Sequence, residues 1–279
     1  MTDDHRDRFD LLSRPVSRRG ALVLLGGLGL VAAGCSGGDD GSSSTATTSG
    51  SSGTSATTAG STPSTAATAT CSVIPDETGG PFPGDGSNGP DVLSESGVVR
   101  KDIRTSFDGA RGTAEGVPFT IQFTVVDIDG GCKPLEGAAV YAWHCDRDGR
   151  YSMYTASDAN YLRGVQPVDG NGIASFTSIF PGAYDGRWPH VHFEVYASVD
   201  AATSGGTKLA TSQIALPKDA CDAAYATDGY AASVRNMART SLQSDMVFRD
   251  GVGLQTPSMT GNASNGYVAS LAVGVRGAV

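Results

Sequence analysis

The sequence predicts an all-β fold over residues 71–279, namely an antiparallel β-sandwich with little helix. Short segments of alternating apolar and polar residues, rich in β-branched side chains, recur from residue 95 onward and are separated by Gly, Pro, Asp and Asn. Helical periodicity is found only over residues 220–237. Many short strands joined by glycine-rich turns are typical of two packed sheets.

The individual strands are predicted from a period of two residues. Residues 118–127, PFTIQFTVVD, alternate apolar and polar side chains as a half-buried strand does. Residues 138–144, AAVYAWH, repeat the pattern and precede the turn-forming pair Asp148-Gly149. Further strands are predicted at residues 173–179, 190–197, 209–216, 244–248 and 266–275.

Residues 1–34 have the pattern of an export signal. The twin arginine Arg18-Arg19 precedes the apolar stretch 21–33, which is shorter than the roughly 20 apolar residues that a membrane span needs. Residues 31–35 resemble a lipobox, with Ala32 where leucine is usual. We therefore expect export by the Tat route and a lipid on Cys35, which would anchor the chain to the outer face of the membrane at the cell surface. The alternative is that stretch 21–33 is a transmembrane anchor.

Residues 35–70 are predicted to be a disordered tether in front of a single domain at residues 71–279. The tether consists almost entirely of Ser, Thr, Gly and Ala. Such a segment buries too little apolar surface to offset its ordering entropy. The formal net charge of the whole chain is −9, and no basic block follows the signal. This charge pattern argues against nucleic acid as a partner.

Four cysteines remain after Cys35, an even number that in an oxidising compartment indicates two disulfides. Our working hypothesis pairs Cys71 with Cys132 and Cys145 with Cys221, which is one of three possible connectivities. A metal site formed by these thiols is the competing interpretation. It is less favoured because no C-x-x-C spacing occurs and the four residues are far apart in the sequence.

Two histidines are spaced so that one metal ion could bind both. His190 and His192 lie in a predicted strand, where residues i and i+2 project from the same face. The sequence has four histidines; His5 falls in the signal, and His144, beside a cysteine in another predicted strand, is interpreted as structural. The pair alone is weak evidence for a metal, because histidines without a ligand are common.

Two tyrosines strengthen the case for a metal. Tyr184 lies with Arg187 in the turn-rich run of residues 180–189 that leads to the histidines, and Tyr151 follows the Asp148-Gly149 turn. A tyrosine is ordinarily a poor ligand because its pKa is about 10. A trivalent cation favours the phenolate strongly, so two phenolates with two neutral imidazoles suit Fe(III) better than zinc or copper.

Several short motifs occur in a fixed order over residues 75–215. They are Glu77-Thr78-x-Gly80-Pro81-Phe82, Pro134-Leu135-x-Gly137-Ala138-x-Val140-x-x-Trp143, Asp148-Gly149-x-Tyr151-Ser152, Pro181-Gly182-x-Tyr184, Arg187-x-x-His190-x-His192-Phe193 and Thr211-Ser212-Gln213-Ile214. In this order the motifs resemble those of the intradiol ring-cleavage dioxygenases, the family of the catechol and protocatechuate intradiol enzymes. The resemblance covers about half of the chain and is far more specific than the histidine pair.

The resemblance implies a non-haem ferric ion held by two tyrosines and two histidines. The matching residues are Tyr151, Tyr184, His190 and His192. It also implies that O₂ cleaves a catechol-type ring between its two hydroxyls to give a muconate-type dicarboxylic acid. Tyr184 would take up a substrate proton, and Arg187 and Gln213 would stabilise negative charge on the activated ring.

Two other function classes fit parts of the sequence. One is a non-catalytic, surface-anchored β-sandwich that binds a carbohydrate or a partner protein. The other is a zinc- or copper-binding module that uses the histidines alone. The first requires no set of two tyrosines and two histidines, and the second requires no tyrosines.

Overall fold

The computed structural model describes residues 71–277 as two β-sheets packed against each other with a few short helices. The signal, Cys35 and the tether predicted for residues 1–70 lie outside the described residues. The strands are β1 (Pro118–Asp127), β2 (Lys133–Pro134), β3 (Ala139–Trp143), β4 (Arg163–Pro167), β5 (Ile173–Ile179), β6 (His190–Tyr196), β7 (Lys208–Ala215), β8 (Ser258–Asn262) and β9 (Gly266–Val275). The helices are α1 (Val199–Thr203), α2 (Lys218–Tyr225), α3 (Ala231–Met237) and a 3-10 turn at Phe248–Asp250.

The all-β sandwich predicted from the sequence is confirmed. One sheet has the order β2-β1-β9-β8, with β5 also paired to β1, and the other has the order β4-β3-β6-β7. Neighbouring strands are antiparallel with one exception, since β1 and β9 run parallel and pair from Phe119 with Tyr267 onward. Among the strands of residues 71–277, the last, β9, therefore lies beside the first, β1.

The core lies between the two sheets and follows the alternation in the sequence. In β1 the side chains of Phe119, Ile121, Phe123 and Val125 are buried, while their neighbours on the other face are mostly half-buried. The ring of Phe123 packs on that of Phe193 in β6, with centroids 4.8 Å apart. Burying a phenylalanine contributes about 1.5–3 kcal/mol, so these contacts hold the sheets together.

Strand β6 is buried on both of its faces. All seven residues of the strand are buried. Val191, Phe193 and Val195 belong to the core between the sheets. The residues that alternate with them, His190, His192 and Glu194, are therefore on the opposite, outer face of their sheet. A second apolar cluster, which includes Val92, Leu93, Tyr141, Trp143 and Tyr151, covers that outer face.

Two predicted elements differ from the structure. Residues 244–248 form turns instead of a strand, because the Asp245 carboxylate accepts the backbone N–H groups of Val247 and Phe248 at 2.8 and 3.1 Å and folds the segment into an Asx turn. The predicted helical region 220–237 is two helices, because α2 ends at Tyr225 and a turn that contains Gly229, with a φ of 92°, separates it from α3. No helix within residues 71–277 has the length and apolar character that crossing a membrane requires.

The cysteine prediction is half correct. Cys71 and Cys132 form a disulfide with a Cα–Cα distance of 5.7 Å. The second predicted pair is wrong, since Cys145 and Cys221 are both free and buried. Each thiol lies against a backbone carbonyl of a different segment, Cys145 against Gly182 at 3.3 Å and Cys221 against Leu216 at 3.9 Å. Burial raises the pKa of both thiols, which keeps them protonated.

We predict that peptide mapping of protein alkylated under denaturing, non-reducing conditions will recover one cross-link between these cysteines, Cys71 to Cys132, with Cys145 and Cys221 carrying the alkyl label. The disulfide spans 61 residues of sequence, so replacing both of its cysteines with serine should lower the free energy of unfolding by about 4 kcal/mol in the loop-entropy treatment. Recovery of a peptide that joins Cys145 to Cys221 would contradict this assignment. A Cys145→Ser variant, which breaks no cross-link, serves as the control.

Candidate metal centre

Strand β6 brings the two histidines together on the outer face of its sheet. His190 and His192 are 2% and 1% exposed, and their Nε2 atoms are 3.0 Å apart. The ring of His192 is stacked on Trp143 of the neighbouring strand β3, with centroids 4.8 Å apart and an interplanar angle of 5°. This stacking fixes the imidazole plane. The third histidine of the described residues, His144, lies elsewhere and contacts the Cys145 carbonyl and the Ser178 hydroxyl.

Two loops bring the predicted tyrosines to the same point. The Oη atoms of Tyr151 and Tyr184 are 3.3 and 3.5 Å from His190 Nε2. Tyr151 follows β3 and Tyr184 precedes β6, so the two phenols reach the histidines from two different connections of the sheet. The sequence predicted that these four residues share one site, and the structure places their donor atoms in a single cluster.

Gly149 allows the two tyrosine loops to touch. Its φ is 82°, and a Cβ atom placed on it would lie 2.9 Å from the carbonyl oxygen of Ala183 and 3.2 Å from Cβ of Tyr184. A side chain at this position would push the Tyr151 loop away from the Tyr184 loop. The glycine is therefore required both by the backbone conformation and by the close approach.

Burial fixes the protonation states of the four groups. It lowers the pKa of His190 to about 3 and that of His192 well below its usual value, and the positive charge of Arg187 adds to both shifts. Both imidazoles are therefore neutral, as metal ligands must be. Burial also raises the pKa values of Tyr151 and Tyr184, so both phenols stay protonated unless a cation is close.

The hydrogen bonds of the imidazoles fit a bound cation. Nδ1 of His190 contacts the carbonyl oxygen of Trp188, which can only accept, so Nδ1 carries the ring proton and Nε2 directs its lone pair at the cluster. Nδ1 of His192 is buried and has no partner. While both phenols are protonated, their hydroxyls can donate to His190 Nε2, and a cation bound in the cluster would replace these protons as the partner of the oxygen and nitrogen donors. A hard, trivalent cation suits this set of nitrogen and oxygen donors, and the residues present therefore fit Fe(III).

Arg187 and Gln213, to which the family resemblance assigns a role at the site, lie beside the cluster. The Arg187 guanidinium donates from Nη2 to Oε1 of Gln213 at 2.6 Å and points Nη1 at the Tyr184 hydroxyl at 3.4 Å. Gln213 in turn donates to the carbonyl oxygen of Thr78 at 2.7 Å. The segment that carries Thr78 also places Gly80 against the His192 ring, where an added Cβ atom would be 3.2 Å from Cε1.

Sequence reasoning missed Asp245, which forms a buried ion pair with Arg187 at 2.9 Å. It was assigned to a predicted strand, because Met246, Val247 and Phe248 imitate an apolar run. The available signal is the Asp itself, since Asp side chains often accept the backbone N–H two residues on in an Asx turn, and a buried arginine needs a counter-ion. Outside the Tyr–His cluster, the part of the chain from 71 to 277 contains no group of three or more His, Cys, Asp or Glu side chains placed to hold a metal.

Comparison with known proteins gives a family match over the sandwich. The Dioxygenase_C family model, described as "Dioxygenase", matches residues 88–245, a stretch that contains all four clustered residues. Hydroxyquinol 1,2-dioxygenase from Corynebacterium glutamicum is 31% identical over 104 residues, which amount to 31% of this chain and 34% of that protein. The chain thus aligns with about a third of the length of this relative.

The fold is also similar to that of a solved structure. The structure titled intradiol ring-cleavage dioxygenase from Tetranychus urticae superimposes with a TM-score of 0.57 at 23% sequence identity, covering 74% of this chain and 95% of that one. This likeness shows that the two proteins share the sandwich fold.

We predict that Gly149→Ala will lower the affinity for ferric ion by about 10–100-fold, the range found when groups that orient ligands are changed. The added methyl group would separate the tyrosine loops while leaving the four donors in place in the sequence. Gly109→Ala is the matched control, because Gly109 has a similar φ of 84° and nothing within 4 Å of its added Cβ atom. Iron content after dialysis against graded chelator measures the effect; equal losses in both variants would mean that the loop contact does not matter.

Proposed function

The chain belongs to the intradiol ring-cleavage dioxygenase family, and from this premise we propose that it is an iron-dependent enzyme that cleaves catechol-type rings between their two hydroxyls with O₂. The products are muconate-type dicarboxylic acids. The observation that carries the proposal is the convergence of two phenols and two neutral imidazoles beside Arg187. A binding module has no need of such an arrangement.

In this proposal the ferric ion is held by the four clustered residues, which are Tyr151, Tyr184, His190 and His192. When bound there, the ion would supply Lewis-acid activation of the catechol ring. The chain itself excludes water, since both histidines and Tyr151 are almost completely buried. A site with few water molecules strengthens each electrostatic contact that the protein makes to the substrate.

The two tyrosines have different surroundings and therefore different roles. Tyr151 is 1% exposed and its ring packs on Phe82, with centroids 4.8 Å apart. Tyr184 is only partly buried and its hydroxyl faces the Arg187 guanidinium. Tyr151 is thus fixed, whereas Tyr184 has room to move and to hold a proton taken from the substrate. The positive charge of Arg187 lowers the pKa of the Tyr184 phenol against the effect of burial, which favours the phenolate form that a cation would bind.

Arg187 stabilises the negative charge that develops on the substrate ring. Arg187 as a whole residue is 7% exposed, and its guanidinium is already oriented by its hydrogen bonds. Little reorganisation is therefore needed when negative charge develops on the ring. One fixed donor of this kind can contribute about 3 kcal/mol to the stability of a transition state. Gln213 supports the guanidinium through its Oε1 atom.

The alternatives explain less of the site. A zinc or copper module would use the histidines but leaves the two converging phenols without a reason, because these ions do not require phenolate ligands. A non-catalytic sandwich leaves the buried cluster itself unexplained. Its four donors would then be a costly set of buried polar groups with incomplete hydrogen bonding.

We predict that the iron-loaded protein will consume O₂ with catechol-type substrates and form muconates. The panel is catechol, protocatechuate, hydroxyquinol and larger catechols; hydroxyquinol is included because one relative is named for it. Product mass and ultraviolet spectrum identify the cleavage position. Semialdehyde products would show cleavage outside the two hydroxyls and would contradict the proposal.

We predict that the iron-loaded protein is wine-red, because ferric tyrosinate absorbs by ligand-to-metal charge transfer. Tyr184→Phe should lose part of this band and at least about 10²-fold in kcat. Tyr154→Phe is the control, since the Tyr154 hydroxyl bonds to Asn88 at 2.7 Å and lies outside the donor cluster. A zinc protein would be colourless. An unchanged band in the Tyr184 variant would remove this phenol from the site.

We propose in addition that the chain is exported by the Tat route and anchored by a lipid on Cys35, which rests on the sequence pattern of residues 1–35. In a bacterial host with a Tat system, we predict that labelled fatty acid is incorporated into the full chain. Cys35→Ala should abolish the label and release the protein from the membrane fraction, while Arg18→Lys with Arg19→Lys should block export. Membrane retention of Cys35→Ala would favour a transmembrane anchor at residues 21–33.

A further inference from the structure

Asp245 and Arg187 form a buried ion pair next to the donor cluster. Their side chains are 0% and 8% exposed, and Arg187 Nε is 2.9 Å from Asp245 Oδ2. A charge this deep in the protein is stable only with a partner that satisfies it. The proposed chemistry uses Arg187, and it assigns nothing to Asp245.

Backbone groups hold the Asp245 carboxylate in place. Oδ2 accepts the N–H of Trp188 at 2.7 Å in addition to the guanidinium. Oδ1 accepts the N–H groups of Val247 and Phe248. Three backbone donors from two separate segments therefore fix both oxygens. The carboxylate is a rigid anchor that also ties the 245–248 turn to the start of the histidine strand.

The contacts of Arg187 leave its guanidinium one orientation. Nε donates to Asp245 and Nη2, on the same edge of the guanidinium, donates to Gln213, at 2.9 and 2.6 Å. The nitrogen that remains, Nη1, points at Tyr184 Oη from 3.4 Å. An arginine side chain has many rotamers, and this fork of two fixed acceptors removes that freedom before a substrate arrives.

We propose that Asp245 is a positioning residue of the ring-cleavage reaction: it fixes the Arg187 guanidinium so that Nη1 faces the donor cluster. This inference rests on the function proposed above. Gln213 alone does not fix the group, because a single acceptor at Nη2 lets the guanidinium pivot about that bond. With the second acceptor at Nε, the planar group is held along an edge.

Asp245→Asn tests the proposal with little change in shape. If its Oδ1 keeps the N–H groups of Val247 and Phe248, its Nδ2 faces the N–H of Trp188 and Nε of Arg187, so donor meets donor. The guanidinium should then turn away. We expect kcat with catechol to fall by about 10²-fold while KM stays within about threefold, the pattern of an interaction made only in the transition state. Iron content and the charge-transfer band of the resting protein should not change.

Asp185→Asn is the matched control. Asp185 lies in the same loop as Arg187, its side chain is 76% exposed, and it pairs with Arg239 at 2.8 Å. The substitution removes one negative charge near the site without touching the Arg187 contacts, and kcat should stay within about twofold of the unmodified protein. A fall as large as that of Asp245→Asn would mean that general charge and not positioning is responsible, and would overturn the proposal.

A double-mutant cycle keeps the test decisive even if Asp245→Asn folds poorly. Arg187→Met with Asp245→Asn removes both charges and leaves neither buried alone. If Asp245 acts through Arg187, the double variant should have the kcat of Arg187→Met alone. A further, additive loss would overturn the proposal, as would normal turnover by Asp245→Asn. Absence of muconate from the unmodified, iron-loaded protein would instead overturn the proposed function, and this inference with it.

Discussion

The burial of strand β6 on both faces is the constraint on which the rest of the site depends. Its odd-numbered residues Val191, Phe193 and Val195 belong to the core between the sheets, and this leaves His190 and His192 no direction except the outer face. Polar side chains on that face would be solvated in an ordinary sandwich. Here loops and residues 71–84, called the N-terminal segment below, cover them, so the imidazoles are desolvated and neutral. The fold thereby provides the two nitrogen lone pairs of the candidate centre.

The cover over this face is held by a buried arginine and a disulfide. Arg163 donates to the carbonyl oxygens of Phe82 and Pro83 at 3.0 and 2.8 Å, and to the hydroxyl of Ser152 next to Tyr151 at 3.0 Å. It therefore joins the N-terminal segment to the loop that carries Tyr151. At the other end of the same segment, the disulfide between Cys71 and Cys132 fixes its first residue. Stability and site geometry share these contacts, so weakening the cover should also disturb the ligands.

Individual strands could be predicted from the periodicity of the sequence, whereas contacts between side chains far apart in the sequence could not. The alternation in residues 118–127 and 266–275 is enough to give both strands with their observed ends, and the i, i+2 rule places the histidines together. That Tyr151 and Tyr184 share one site could be predicted only from the ordered motifs, because no local pattern shows that the two loops meet. The ion pair of Asp245 and the unpaired state of Cys145 depend on residues far away in the sequence, Arg187 and Gly182 respectively. An Asx turn there resembles a strand in its composition, and an even number of cysteines does not determine which thiols approach each other.

We propose that one ferric ion is held by four residues, Tyr151, Tyr184, His190 and His192, and finding the position of the iron is the decisive test. The measurement is a crystal structure of the iron-loaded protein with anomalous differences collected at the iron absorption edge. We expect one strong peak within bonding distance of both tyrosine oxygens and both histidine Nε2 atoms. A peak at another place, or four donors that remain hydrogen-bonded to each other in a protein that carries iron, would contradict it.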